Sequence, residues 1–268
     1  MALGTVVRDV YADHERSTMY QTLSTLLGHN WSWSRAGIYC YWDPYTHEAQ
    51  YIGLANNLAS RFAQHNSLGR NRPSRGNKGA QINDWFRTRD WLGFSIVIQE
   101  GIADDINERY SAIAEGQLLE GYRALHGKFP PWNKIGGSTY GATFAARHTG
   151  SWFDLITGKA DGLVVARKTI RELNDDARAD YNEATIHTSR TGMTLHPHDG
   201  TIDDRGILNG VRLMAQRLGG PDPWTGEDRY ETLRTYLLQP APHPENDLLR
   251  IDPPSTDGPP ECRGGLPT

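Results

Sequence analysis

The sequence predicts a mixed α/β unit over about residues 35–138, with more helices on either side of it. Three observations lead there. Two short β-rich runs, GIYCYW (37–42) and AQYIGLA (49–55), flank the turn-forming DPYTHE. A third apolar run, GFSIVIQE (93–100), follows a polar interval. The stretch INERYSAIAEGQLLEGYRALHG (106–127) repeats apolar residues at helical spacing.

The elements can be justified in chain order. Residues 5–27 place Val6, Val7, Val10, Met19, Leu23, Leu26 and Leu27 at roughly helical spacing, with Gly28 as the stop, so a helix is expected there. GIYCYW and AQYIGLA then form a hairpin with a long loop. Asn57 is suited to cap a helix over LASRFAQHN. SLGRNRPSRGNKG reads as a basic loop, GFSIVIQE as a strand, and 106–127 as a long helix ended by Gly127, Pro130 and Pro131. Further helices are expected over 161–184, 204–219 and 226–238, the last opened by Thr225 and Asp228 as a capping pair. From Gln239 onward the chain is rich in Pro, Gly and acid, a composition that does not support packed structure.

Composition narrows the function classes. With 37% apolar and 22% charged residues, 268 residues are enough to bury a sizeable core. No run of about 18 apolar residues exists, so no membrane span is expected. The N-terminal residues lack the apolar stretch of a signal peptide. Two distant cysteines, Cys40 and Cys262, exclude a disulfide framework and a four-cysteine zinc site. A cytoplasmic protein is the expectation. The net charge of -4 hides a local reversal: residues 61–91 hold seven Arg and Lys against two Asp, a local +5. Such a patch is ordinarily a solvated face, and it is also the electrostatic footprint of a polyanion site.

Tyrosines in strands usually pack, and glycine in a strand usually marks a bulge or a close approach. Other polar residues fall into register with them. Arg61 and His65 are one turn apart on the predicted helix and share a face. Glu115 stands beside the apolar stripe of Leu118, Leu119 and Tyr122, and Asn133 follows the double proline in PPWNKIGG.

Gly37-Ile38-Tyr39, Tyr51-Ile52-Gly53, Arg61 with His65, E-x-x-L-L-x-x-Y from Glu115 to Tyr122, and Asn133 together resemble the GIY-YIG endonuclease superfamily. The resemblance spans a little over a third of the chain. It implies a small three-stranded antiparallel sheet flanked by helices, and a metal-dependent endonuclease that hydrolyses DNA phosphodiester bonds. The segments become an N-terminal helical extension (1–34), the nuclease domain (35–138), a helical accessory region (139–238) and a tail (239–268). The resemblance further implies that Glu115 is the sole protein ligand of one divalent ion, Mg²⁺ or Mn²⁺, and that Arg61 holds the scissile phosphate. Tyr39 or Tyr51 would deprotonate or orient the attacking water, which for a phenol of pKa near 10 needs a nearby cation. His65 would support the base or a phosphate, and Asn133 would brace the site.

Glu120 competes with Glu115, since it lies nearer the usual spacing to Asn133; the E-x-x-L-L-x-x-Y frame favours Glu115. Arg70, Arg72, Arg75 and Lys78 would follow the DNA backbone electrostatically. His47 and Tyr45 in the hairpin turn read as surface residues, and His196, His198 and Asp199 in LHPHDG as an ordinary loop. The run SWFDLITG is suited to pack back on the nuclease unit. Restriction, phage defence or a mobile element is the context the family suggests. A homodimer would suit double-strand cutting. Two other readings stand: an effector nuclease acting on single strands or RNA under a regulatory protein partner, and a catalytically silent nucleic-acid-binding protein.

Overall fold

A strand that is buried on both faces yet carries an arginine and an aspartate begins the fold. The computed structural model of the chain describes residues 4–28, 33–68, 77–98, 104–134, 136, 150–192, 211 and 228–242. β1 (Thr5–Ala12) is covered along its whole length, with Arg8 and Asp9 inside. This corrects the expected helix over 5–27: only α1 (Arg16–Leu26) is helical, after a single 3-10 turn. β1 stays extended because its two buried charges find partners on opposite faces. Arg8 donates to the carbonyls of Leu155, Ala160 and Pro242 at 2.6–3.2 Å. Asp9 accepts from the backbone N–H and guanidinium of Arg171.

β2 (Gly37–Trp42) and β3 (Ala49–Ala55) form the expected hairpin, α2 (Leu58–His65) and α3 (Gly79–Trp85) follow, and β4 (Trp91–Ile98) completes the sheet. The sheet is open and antiparallel in the order β1-β4-β2-β3, so it has four strands rather than three. The helices α4 (Asp104–His126), α5 (Gly150–Ile156), α6 (Ile170–Asp175), α7 (Ala177–Gly192) and α8 (Arg229–Leu237) bring the number among the described residues to eight. None of these is long and apolar enough to cross a membrane.

The strand period of two sorts the core. Val7, Tyr11, Tyr39, Tyr41, Phe94 and Ile96 face α1, α2, α6, α7 and α8, while Val6, Val10, Ile38, Cys40, Trp42 and Val97 face α4 and α5. Phe153 and Ile156 of α5 join the second layer, so SWFDLITG does pack back on the sheet. The free edge of β1 is covered by residues 164–166: Val6 N–H donates to Val164 O and Ala166 N–H donates to Val6 O, both at 2.8 Å. That extended stretch divides the helix expected over 161–184. Thr169 and Glu172 form a capping box that starts α6, and Asp176 (φ -120°, ψ 97°) interrupts before α7.

Asp228 accepts from the N–H groups of Tyr230 and Glu231 and caps α8; Thr225 and the helix expected over 204–219 lie outside the described residues, Val211 apart. Of the tail, Ala241 and Pro242 are buried and three backbone groups are bonded: Arg167 donates to Gln239 O, Ala241 N–H donates to Asp161, and Arg8 donates to Pro242 O. Residues 243–268 lie outside the described ones, as do His196, His198 and Asp199.

Candidate active site

The hairpin register explains both tripeptides. Tyr39 of β2 stands opposite Gly53 of β3, and Tyr41 opposite Tyr51. A Cβ on Gly53 would lie 2.7 Å from Tyr39 Oη and 2.8 Å from Tyr51 Cε1, so only glycine lets the Tyr39 phenol lie across β3. At Gly37 a Cβ would meet the Val97 carbonyl of β4 at 2.6 Å. The two glycines are thus required by close approach, one to a phenol and one to a neighbouring strand.

α2 presents the next residues. Asn57 caps it by accepting from Ser60 N–H at 2.8 Å, and one helical turn separates Arg61 from His65. His65 is 1% exposed and uses both ring nitrogens. Lys78 N–H donates to Nδ1 at 2.9 Å, which assigns the ring proton to Nε2, 2.7 Å from Tyr39 Oη. Burial, then the charges of Arg61 and Lys78, lowers the His65 pKa to about 3, so the ring is neutral. His65 therefore donates to Tyr39, and Tyr39 donates onward to Tyr51.

The two phenols differ in setting. Tyr39 is 2% exposed, and burial holds its pKa well above 10, with Tyr51 adding to the shift and Arg61 opposing it. Tyr51 is only partly buried; burial raises it too, while donation from Tyr39 and the charge of Arg61 pull the other way. Burial thus favours the protonated form of Tyr39. Tyr51 is the phenol that reaches solvent.

The free edge of β3 collects the rest. Trp132 N–H donates to Gln50 O at 2.9 Å. Asn133 pairs with Ile52 in both directions, Oδ1 accepting from N–H at 3.0 Å and Nδ2 donating to O at 2.8 Å. Two residues further, Leu54 N–H donates to the Glu115 carboxylate. Residues 50, 52 and 54 thus offer successive edge groups, and both Asn133 and Glu115 are fastened to them. Burial raises the Glu115 pKa, opposed by Leu54 N–H and Arg61. Glu120 turns elsewhere, to Arg123 at 2.7 Å. Of the two glutamates, Glu115 is the one bonded to the β3 edge.

Lys78 completes the cluster. Its ammonium donates to Trp132 O at 2.7 Å and lies 4.6 Å from the centre of the Tyr51 ring. Its pKa is lowered by burial and then by Lys134. Arg70, Arg72 and Arg75 lie outside the described residues. His47 of the hairpin turn bonds Thr157 O at 2.9 Å, remote from the cluster. One participant was not anticipated: Asn66 accepts from Tyr11 Oη at 2.9 Å and donates to Tyr41 Oη at 3.2 Å, backing the site from within. Its only signal in the sequence is adjacency to His65.

Among the described residues no three of His, Cys, Asp and Glu gather to hold a metal. The single carboxylate fits a different kind of ion. Glu115 is a half-buried carboxylate whose charged form burial disfavours, and a single carboxylate of this kind suits a hard cation that keeps most of its waters. The ensemble offers one carboxylate, a guanidinium, an ammonium and a solvent-facing phenol held by a directed hydrogen-bond chain. Such a set can bind a phosphate and orient a water beside it. Compared with known protein families, with curated proteins and with solved structures, the chain matches none.

Proposed function

We propose that the protein is a metal-dependent endonuclease of the GIY-YIG type, cutting DNA phosphodiester bonds at the β3 edge. One observation carries the reading: Tyr39, Tyr51, Arg61, His65, Glu115 and Asn133, spread over nearly a hundred residues, converge on one strand edge. The hairpin, helix, strand and helix order supports the same fold, with β1 added beyond β4.

Glu115 would hold the divalent ion, Mg²⁺ or Mn²⁺. Bound there, the ion would supply Lewis-acid stabilisation of the charge that grows on the phosphate. Arg61 would grip the scissile phosphate through its planar fork. Tyr51 orients the attacking water. Tyr39, itself held by His65, keeps the Tyr51 oxygen in place and stabilises negative charge on it. His65 has no ring N–H left for a phosphate. Asn133 fixes the β3 edge on which Glu115 is seated.

The test is cleavage of supercoiled plasmid, linear duplex, single-stranded DNA and RNA with Mg²⁺ or Mn²⁺, wild type beside Glu115→Ala. Discrete duplex fragments lost in the variant support a sequence-specific endonuclease, as in restriction or defence. Preferential cutting of single strands or RNA points to an effector nuclease. Binding without cutting under either metal would replace the enzyme by a silent binding protein.

A further inference from the structure

Lys134 lies beside the candidate site, although it is not among the motif residues. It is exposed, it follows Asn133 directly, and its peptide is mounted rigidly. Trp132 is tied to Gln50, Asn133 is tied twice to Ile52, and Asn133 N–H donates to Pro130 O at 2.9 Å. The PPWNK turn is therefore bolted to the β3 edge, and the Lys134 Cα cannot drift from the site. Its charge is felt at Lys78, whose ammonium lies over the Tyr51 ring.

Elsewhere on the molecule, arginines beside acids are neutralised: Arg87 by Asp84, Arg123 by Glu120, Arg167 by Asp161 and Arg171 by Asp9. Among the described residues, neither Arg61, Lys78 nor Lys134 makes an ion pair. Glu115 is the one carboxylate whose charge reaches both phenols. Three cations against one carboxylate leave an excess of positive charge at one edge, where Lys78 donates to Trp132 O and Arg61 to Gln64 without an acidic partner. One phosphodiester would satisfy Arg61 together with an ion held by Glu115. The remaining charge lies to one side, over the Trp132–Lys134 turn.

We infer that Lys134, with Lys78, binds the backbone phosphate next to the scissile one, so that the cut strand runs across the PPWNK turn. This rests on the nuclease reading and adds the strand's path to it. A rigid mount with a mobile ammonium suits the role: the turn fixes where the phosphate passes, and the four-carbon stem follows its position. The contact carries no base information.

The experiment is fluorescence anisotropy of a labelled duplex and a labelled single strand, without divalent metal so that nothing is cut, over a series of KCl concentrations. Lys134→Ala is expected to reduce the slope of log affinity against log salt by about 0.9 on duplex or about 0.7 on single strand. Lys134→Arg is expected to restore it, and Lys159→Ala, on a distant ion pair, to leave it unchanged. An unchanged slope in Lys134→Ala, or an equal loss in Lys159→Ala, overturns the assignment while the nuclease reading stands. Failure of the wild type to bind either strand form overturns both.

Discussion

Gly53 has no side chain because the Tyr39 phenol occupies the space where one would be. Gly53→Ala must push that phenol off β3, breaking its contact with His65 and disturbing the core layer that the Tyr39 ring belongs to. A shift of about 1 Å at a positioned group costs on the order of 10²-fold in rate. We therefore expect cleavage to fall by about that factor, with a native circular dichroism spectrum and an unfolding midpoint lowered by the overpacking; a fully active Gly53→Ala would show that Tyr39 is not placed by this contact. His65 gives a second residue-scale expectation. Its folded pKa of about 3 lies below the ordinary 6.5, so the unfolded chain takes up the proton first as pH falls. Its contribution to stability is complete above pH 6.5 and declines towards pH 3, by roughly 1.4 kcal/mol per pH unit at most. Urea unfolding of wild type and His65→Gln between neutral pH and pH 4.5 should show a gap that narrows with acid. A gap independent of pH would mean that His65 titrates normally in the fold.

At the scale of elements, β1 and α6 depend on each other. Asp9, buried completely, has Arg171 as its cationic partner, and Arg171 also reaches Glu15 at 2.9 Å. Arg171→Met keeps the stem and strands the Asp9 carboxylate. A loss of about 3–5 kcal/mol is expected, and a double variant with Asp9→Asn should recover part of it, both read from denaturant midpoints. A change within about 0.5 kcal/mol in the single variant would show the pair to be dispensable. This pair also explains what the sequence hid. TVVRDVYA does not alternate as a half-exposed strand does, because both faces are covered and the charged side chains are hydrogen-bonded by residues more than 140 positions away. Valines three and four apart then resemble a helix. By contrast α4 was legible, since Leu118, Leu119 and Tyr122 enter the core while Glu115 stays at the edge. α2 was legible through Asn57. The split of 161–184 needed the β1 edge to be known, because only pairing with Val6 holds 164–166 extended.

Across the whole molecule, the sheet has both edges occupied, β1 by residues 164–166 and β3 by Trp132, Asn133 and Glu115. The first is a folding contact that joins the later helices to the sheet, and the second is the proposed site. Residue types and spacing singled out the residues that meet at the second edge, because each of them is local to its own element. The directed chain from Lys78 through His65 and Tyr39 to Tyr51 was not foretold, since it depends on which ring nitrogen meets a backbone N–H. Roles for the two tyrosines follow only from that chain and from their different burial. The most direct measurement is single-turnover cleavage, with Mg²⁺, of the substrate that the wild type cuts best, comparing wild type, Glu115→Gln and Glu120→Gln at matched stability. Glu115→Gln should lose about a thousandfold or more, the loss expected when several kcal/mol of charge stabilisation are removed, while Glu120→Gln stays near wild type. Equal activity of all three, or loss only in Glu120→Gln, would contradict a site built on Glu115 at the β3 edge.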